Sequence, residues 1–151
     1  THGADGQATD SMTEEKIDNS DRTFHNDDSG SRELTGKFDK LKAENPDVIG
    51  WIKFDNQDEL GINYPILYSG DNEKYLRTDL HGNSHIAGCI FWEGLNKSDF
   101  SDYYNIIYGR NMNDGSMFGS LKKYKEEGFW KENQYFTVYS ETTAYRYRIF
   151  L

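Results

Sequence analysis

The chain has 151 residues and a formal net charge of −9, enough for one domain and a tail. Residues 1–30 hold eight acidic side chains against two basic ones, so most of the charge sits in the tail and the rest is only mildly acidic. That balance argues against nucleic acid as a partner, which needs clustered Lys and Arg to replace phosphate counterions, and no apolar run reaches the roughly 18 residues that span a bilayer.

Residues 1–31 are rich in Asp, Ser, Thr, Gly and Asn. Such a segment buries too little apolar surface to offset its ordering entropy, so a disordered acidic linker is expected there. The domain is expected over 32–151. Leu34, Phe38 and Leu41 recur at helical spacing over 32–44, and Pro46 ends the pattern. Val48 to Phe54 (VIGWIKF) reads as a first strand and Ile62 to Leu67 (INYPIL) as a second. Pro65 donates no ladder hydrogen bond, which predicts an edge or an irregular pairing. Asp71 to Arg77 reads as a short helical turn capped by Asp71. Cys89 to Glu93 and Asn105 to Tyr108 are further strands, joined by a polar loop.

Ser116 to Glu127 is a helix candidate with Met117, Leu121 and Tyr124 on one face, capped by Asp114 or Ser116. Tyr135 to Tyr139 and Tyr145 to Phe150 alternate, and 140–143 links them as a hairpin. In the last run Tyr145, Tyr147 and Ile149 share one face, Arg146 and Arg148 the other. Aromatic residues make up 15% of the chain, and they suit half-buried pleated surfaces. The fold class is therefore mostly β with short helices, plausibly a small barrel. The strand pattern runs to Leu151, which does not fit a closed barrel unless this strand is the closing one; an open edge would let copies of the chain pair.

The segment YGRNMNDGSMFG (108–119) joins a strand to the helix candidate and carries Arg110 directly after a glycine. A calcium loop with Gly115 at its sixth position would put Arg110 first, Met112 third and Leu121 twelfth, where oxygen ligands are needed, so no metal is expected. Neither GxxxxGK[ST] nor GxGxxG is present, which argues against a nucleotide. No cofactor is implied. Cys89 is the one cysteine, so no internal disulfide can form. It lies beside Ile90 and Phe91 in a strand, the usual setting of an inert, buried thiol. His81 and His85 are near it in sequence, but nothing aims either at the sulfur. An arginine at a strand end often makes a bidentate pair with a carboxylate, and that remains one of two readings of Arg110.

NPDVIGWI (45–52), INYPILYSGDNEKYLRTDLHG (62–82), GCIFWE (88–93) and NIIYGRNMNDGSMFGSLKKY (105–124) resemble the class B sortases, over about residues 33–151. These are membrane-anchored cysteine transpeptidases of Gram-positive bacteria. The resemblance implies a sortase β-barrel with N-terminal helices, here lacking its final strands. It implies two partners: the sorting-signal peptide of a surface protein, and an amine of the cell wall or of another protein. The linker would lead to a membrane anchor upstream, on the extracellular face of the cell membrane. By resemblance, Asn72, Leu76 and Tyr108 are substrate-groove positions.

The sequence departs from that pattern at Arg110. The family has a histidine after Tyr-Gly, acting as acid and base, and a guanidinium keeps its protons at neutral pH. The family's cysteine and arginine would both fall beyond Leu151. The expectation is a sortase-family chain without transpeptidase activity as given. The alternative is a non-catalytic module that binds a peptide or a partner.

Overall fold

The computed structural model describes residues 12–13 and 28–150. Strands β1 (Met12–Thr13), β2 (Val48–Phe54), β3 (Asn63–Leu67), β4 (Ile90–Trp92), β5 (Ile107–Tyr108), β6 (Tyr135–Tyr139) and β7 (Ala144–Ile149) form one sheet. Its order is β1-β7-β6-β2-β3-β4-β5, curled into a half-barrel. Helix α1 (Asp28–Glu44) precedes β2, and a single turn, α2 (Phe129–Glu132), precedes β6. All pairings are antiparallel except β3 with β4, whose parallel alignment requires the long connection 68–89.

Alternation along the strands gives the sheet two buried faces. Ile52, Phe54, Ile66, Ile90, Trp92, Val138 and Ile149 point to the concave side, where Phe100 and Phe118 close over them. Leu67 and Phe91 point the other way and meet Phe38 of α1, Tyr75 and Cys89. A sheet covered on both faces reads as near-continuous apolar runs, which is why VIGWIKF and CIFW look unlike an alternating strand. Phe54 stacks on Phe136 at 4.8 Å between centroids, and Trp92 on Phe100 at 4.5 Å. Each such pair contributes roughly 0.5–1.5 kcal/mol beyond its buried area.

The α1–β2 corner is built by three residues. Asn45 Oδ1 accepts the Asp47 N–H at 2.9 Å, an Asx turn, and Pro46 between them stops the helix. Asn45 Nδ2 then donates to the Tyr75 hydroxyl at 3.2 Å and to the Leu80 carbonyl at 3.0 Å. The Tyr75 hydroxyl donates to Asp47 at 2.7 Å, and Lys74 reaches the same carboxylate at 3.0 Å. These contacts pin the 3-10 turn Lys74–Leu76 against the helix end.

Several expectations shift in detail. Of the segment expected to be a disordered linker, residues 1–11 and 14–27 lie outside the described residues. Met12 and Thr13 pair with Ile149 and Arg148, because β7 offers a ladder partner that composition does not register. Helix α1 starts at Asp28, ahead of the expected start at 32. Pro65 lies in an interior strand, opposite Trp51 of β2, but β4 pairs only with the two residues after it. At Pro65 itself no β4 ladder bond is forfeited. The expected helix over 116–127 is a 3-10 segment, Gly119–Lys125. Met117 has φ 55°, outside helical space, and Gly119 packs so closely that a Cβ there would sit 2.4 Å from the Met112 carbonyl oxygen. The tail hairpin holds: Tyr147 stacks on Phe136, and Arg146 on the opposite face pairs with Asp55.

Candidate functional site

The four positions singled out in the sequence converge where β4 and β5 end. Tyr108 closes β5, directly opposite Phe91 of β4, and its ring stacks on Phe91 at 5.2 Å between centroids. Its hydroxyl donates to Glu93 Oε1 at 2.7 Å. Asn72 reaches the same carboxylate from the 68–89 connection, its Nδ2 donating to Oε2 at 2.9 Å. Leu76 ends the 3-10 turn and packs with Tyr108 against the cluster around Tyr75 and Phe91.

Arg110 follows Tyr108 and Gly109. Its Nε and Nη2 donate to the Leu76 carbonyl oxygen at 3.2 and 3.0 Å. The partner of this fork is a main-chain carbonyl and not the carboxylate that one reading of the sequence offered. Gly109 leaves room for the packing beneath it: a Cβ would lie 2.5 Å from Ile90 Cδ1 and 2.6 Å from the Phe118 ring. The far end of the loop is held as well, with the Met117 N–H donating to the Tyr64 hydroxyl at 3.0 Å and the Phe118 N–H to the Arg110 carbonyl at 2.9 Å.

Glu93 was not singled out in the sequence, and it joins the others. Its side chain is nine-tenths buried, and it also receives the Leu95 N–H at 3.1 Å. Burial pushes its carboxyl up. The hydrogen bonds from Asn72, Tyr108 and Leu95 outweigh that and hold it below the ordinary glutamate value. A charged residue directly after an apolar strand run, CIFW, was the available signal. Its partners lie 21 and 15 residues away in the chain, which no local pattern reports.

Cys89 sits on the far side of β4 from the concave core, among Phe38, Val48 and Leu67. Its thiol donates to the Thr78 carbonyl at 3.4 Å. Burial, with the Asp79 charge adding to it, pushes the thiol up to about 12, so almost no thiolate exists at neutral pH. His81 pairs with Glu44, and His85 Nδ1 accepts the Ala87 N–H at 3.0 Å. Among the described residues no three His, Cys, Asp or Glu side chains come together as a metal site. A separate polar cleft of about 220 Å³ opens between Glu44–Asn45 and the 78–82 segment, and it is lined by none of Asn72, Leu76, Tyr108 or Arg110.

Over 118 residues the chain is 37% identical to sortase B of Listeria monocytogenes, a stretch covering 78% of this chain and 47% of that protein. Sortase B of Bacillus anthracis, solved in complex with AAEK1, matches with a TM-score of 0.68 at 35% identity, over 73% of this chain and 51% of that one. The chain belongs to the class B sortases. A class B sortase of Streptococcus pyogenes involved in pilus biogenesis matches the sortase domain with a TM-score of 0.67 at 28% identity, over 73% of this chain and 59% of that one. No protein-family model matches the chain. The chain spans about half the length of the curated relatives it matches.

Proposed function

We propose that this sortase domain grips the sorting-signal peptide of a surface protein, and that residues 1–151 by themselves supply the groove but no working thiol. One observation carries the reading. Asn72, Leu76, Tyr108 and Arg110 meet at one place, joined through Glu93 and the Leu76 carbonyl. The solved relative from B. anthracis is described in complex with AAEK1, which supports a ligand groove in this family.

The chemistry available in these residues is binding. A cysteine transpeptidase needs a thiolate and a group that passes a proton near neutral pH. Cys89 is buried and its thiol is pushed up to about 12. Arg110, where the family has its histidine, is fastened to a carbonyl, and a guanidinium offers donors and no acceptor. The acceptor in a complete reaction would be an amine of the cell wall or of a second protein, at the outer face of a Gram-positive cell membrane.

The test is a titration of the purified chain with fluorescent sorting-signal peptides, run beside a cleavage assay. Saturable binding without cleavage is the expected result. Cleavage abolished by a thiol reagent overturns the non-catalytic part, and no saturable binding at millimolar peptide overturns the groove.

A further inference from the structure

Glu93 is a buried carboxylate with three donors already arranged around it. Oε2 receives Asn72 Nδ2 at 2.9 Å and the Leu95 N–H at 3.1 Å, and Oε1 receives the Tyr108 hydroxyl at 2.7 Å. Asn72 is held at its other end too, since its Oδ1 accepts the Gly94 N–H at 2.7 Å. A flipped Asn72 amide would set its NH2 against the Gly94 N–H and its oxygen against the carboxylate. Only one orientation satisfies both neighbours. Tyr108 is clamped in the same manner, by Phe91 on its ring and Glu93 on its hydroxyl.

An ionised carboxylate only accepts, so each of its partners must donate. The phenol has a single proton, and that proton points at Glu93. A ligand group that meets the Tyr108 oxygen therefore has to donate, as a peptide N–H or a primary amide does.

We propose that Glu93 is the positioning residue of the peptide groove: by accepting from Asn72 and Tyr108 together, it fixes both side chains in one orientation and makes Tyr108 an acceptor toward the peptide. This rests on the groove reading given above. The role is distinct from bracing the ends of β4 and β5, which would affect stability and leave the polarity of the groove untouched.

Glu93→Gln separates the two. Glutamine has the same shape. Its oxygen can serve Asn72 and Leu95, and its NH2 then faces the phenol, which must turn from donor to acceptor. The expected result is a folded variant whose peptide affinity falls by about tenfold, the scale of one mismatched buried hydrogen bond. Glu93→Asp keeps the charge but lacks the reach for both partners, and it should bind between the wild type and Glu93→Ala. An N-methyl scan of the peptide should find one position where methylation weakens binding to the wild type by about tenfold and to Glu93→Gln little. A purely structural role would not produce that difference.

The proposal is overturned if Glu93→Gln binds as tightly as the wild type while Asn72→Ala weakens binding. It is also overturned if no peptide position shows the N-methyl difference. Absence of saturable binding by the wild type overturns the groove reading and this role with it. The Asn72 side-chain amide resonances, recorded without peptide, then separate the causes: they move in Glu93→Gln if the clamp exists and stay in place if it does not.

Discussion

Arg110 holds the main-chain carbonyl of Leu76 with two donors, Nε and Nη2. The two residues are 34 apart in sequence, and the contact ties the loop after β5 to the 3-10 turn Lys74–Leu76. A half-buried charged donor on a carbonyl contributes on the order of 1 kcal/mol. Arg110→Ala should lower unfolding stability by about that amount, and Arg110→Lys should recover only part, because an ammonium lacks the planar fork. Urea unfolding midpoints measure both, and an unchanged midpoint for Arg110→Ala sinks the idea that this contact stabilises the fold.

Arg110→His installs the residue type that the family resemblance led one to expect here, and it should create no cleavage. The thiol it would serve in this chain is Cys89, which is buried on the other face of β4. Chromatography of a sorting-signal peptide after incubation reads the result. Product formed by Arg110→His and lost in Arg110→His with Cys89→Ser would make Cys89 a nucleophile.

The thiol can be examined directly. With its pKa pushed up to about 12, Cys89 should react with a disulfide reagent at pH 8 far more slowly in the folded chain than in denaturant. A difference of at least about a hundredfold is expected from the loss of thiolate and of access together. Equal rates in the two states would show that the sulfur is open to solvent.

Two glycines with positive φ should respond differently to alanine. At Gly88, φ is 59° and a Cβ would lie 2.2 Å from the Tyr75 carbonyl oxygen and 2.5 Å from that of Leu76. At Gly82, φ is 87° and nothing lies within 4 Å. Gly82→Ala should cost the left-handed strain of about 1–2 kcal/mol, and Gly88→Ala should cost more than about 3 kcal/mol because backbone must move. Thermal unfolding of the two variants gives the order. Similar melting temperatures would mean that the 3-10 turn does not press on Gly88.

Acid should weaken the site. Glu93 is held below the ordinary glutamate value in the folded chain, so it releases its proton more easily there than when unfolded. Its contribution is complete above the unfolded value of about 4.3 and is lost as pH falls through the lower folded value. Several aspartates are shifted the same way, so the wild type alone does not isolate it. The difference between wild type and Glu93→Gln does: the stability gap should narrow as pH drops from about 5 to about 3. A gap independent of pH would mean that Glu93 is not ionised in the fold.

Strands with strong apolar or alternating character were legible. VIGWIKF and YFTVY match β2 and β6, and the last alternating run matches β7 within a residue at each end. The 116–127 segment differs because helical spacing of Met117, Leu121 and Tyr124 does not separate an α-helix from a 3-10 segment, and Met117 has a positive φ and bridges Asn111. Strand β5 shrank to Ile107–Tyr108 because the Asn105 side chain bonds to the Asp102 carbonyl and the Ile106 N–H is taken by Asn96. Within the site, Asn72, Leu76 and Tyr108 came from the family resemblance, and Arg110 from its place directly after a glycine at a strand end. Glu93 did not, because what distinguishes it is a set of contacts that exist only once the chain has folded.

Ile90 and Trp92 face the concave core; Phe91 faces α1, and Glu93 continues that second parity just past the strand. The ladder confirms the count, since the Glu93 N–H donates to the Ile106 carbonyl at 2.9 Å. If β4 slipped by one residue, the aromatic side chains and the carboxylate would all exchange sides, placing a charge in the interior. The packing of Trp92 against Phe100 thus acts as an alignment key for a carboxylate it never touches. As long as that packing holds, position 93 stays aimed at Asn72 and Tyr108, whatever residue stands at position 110.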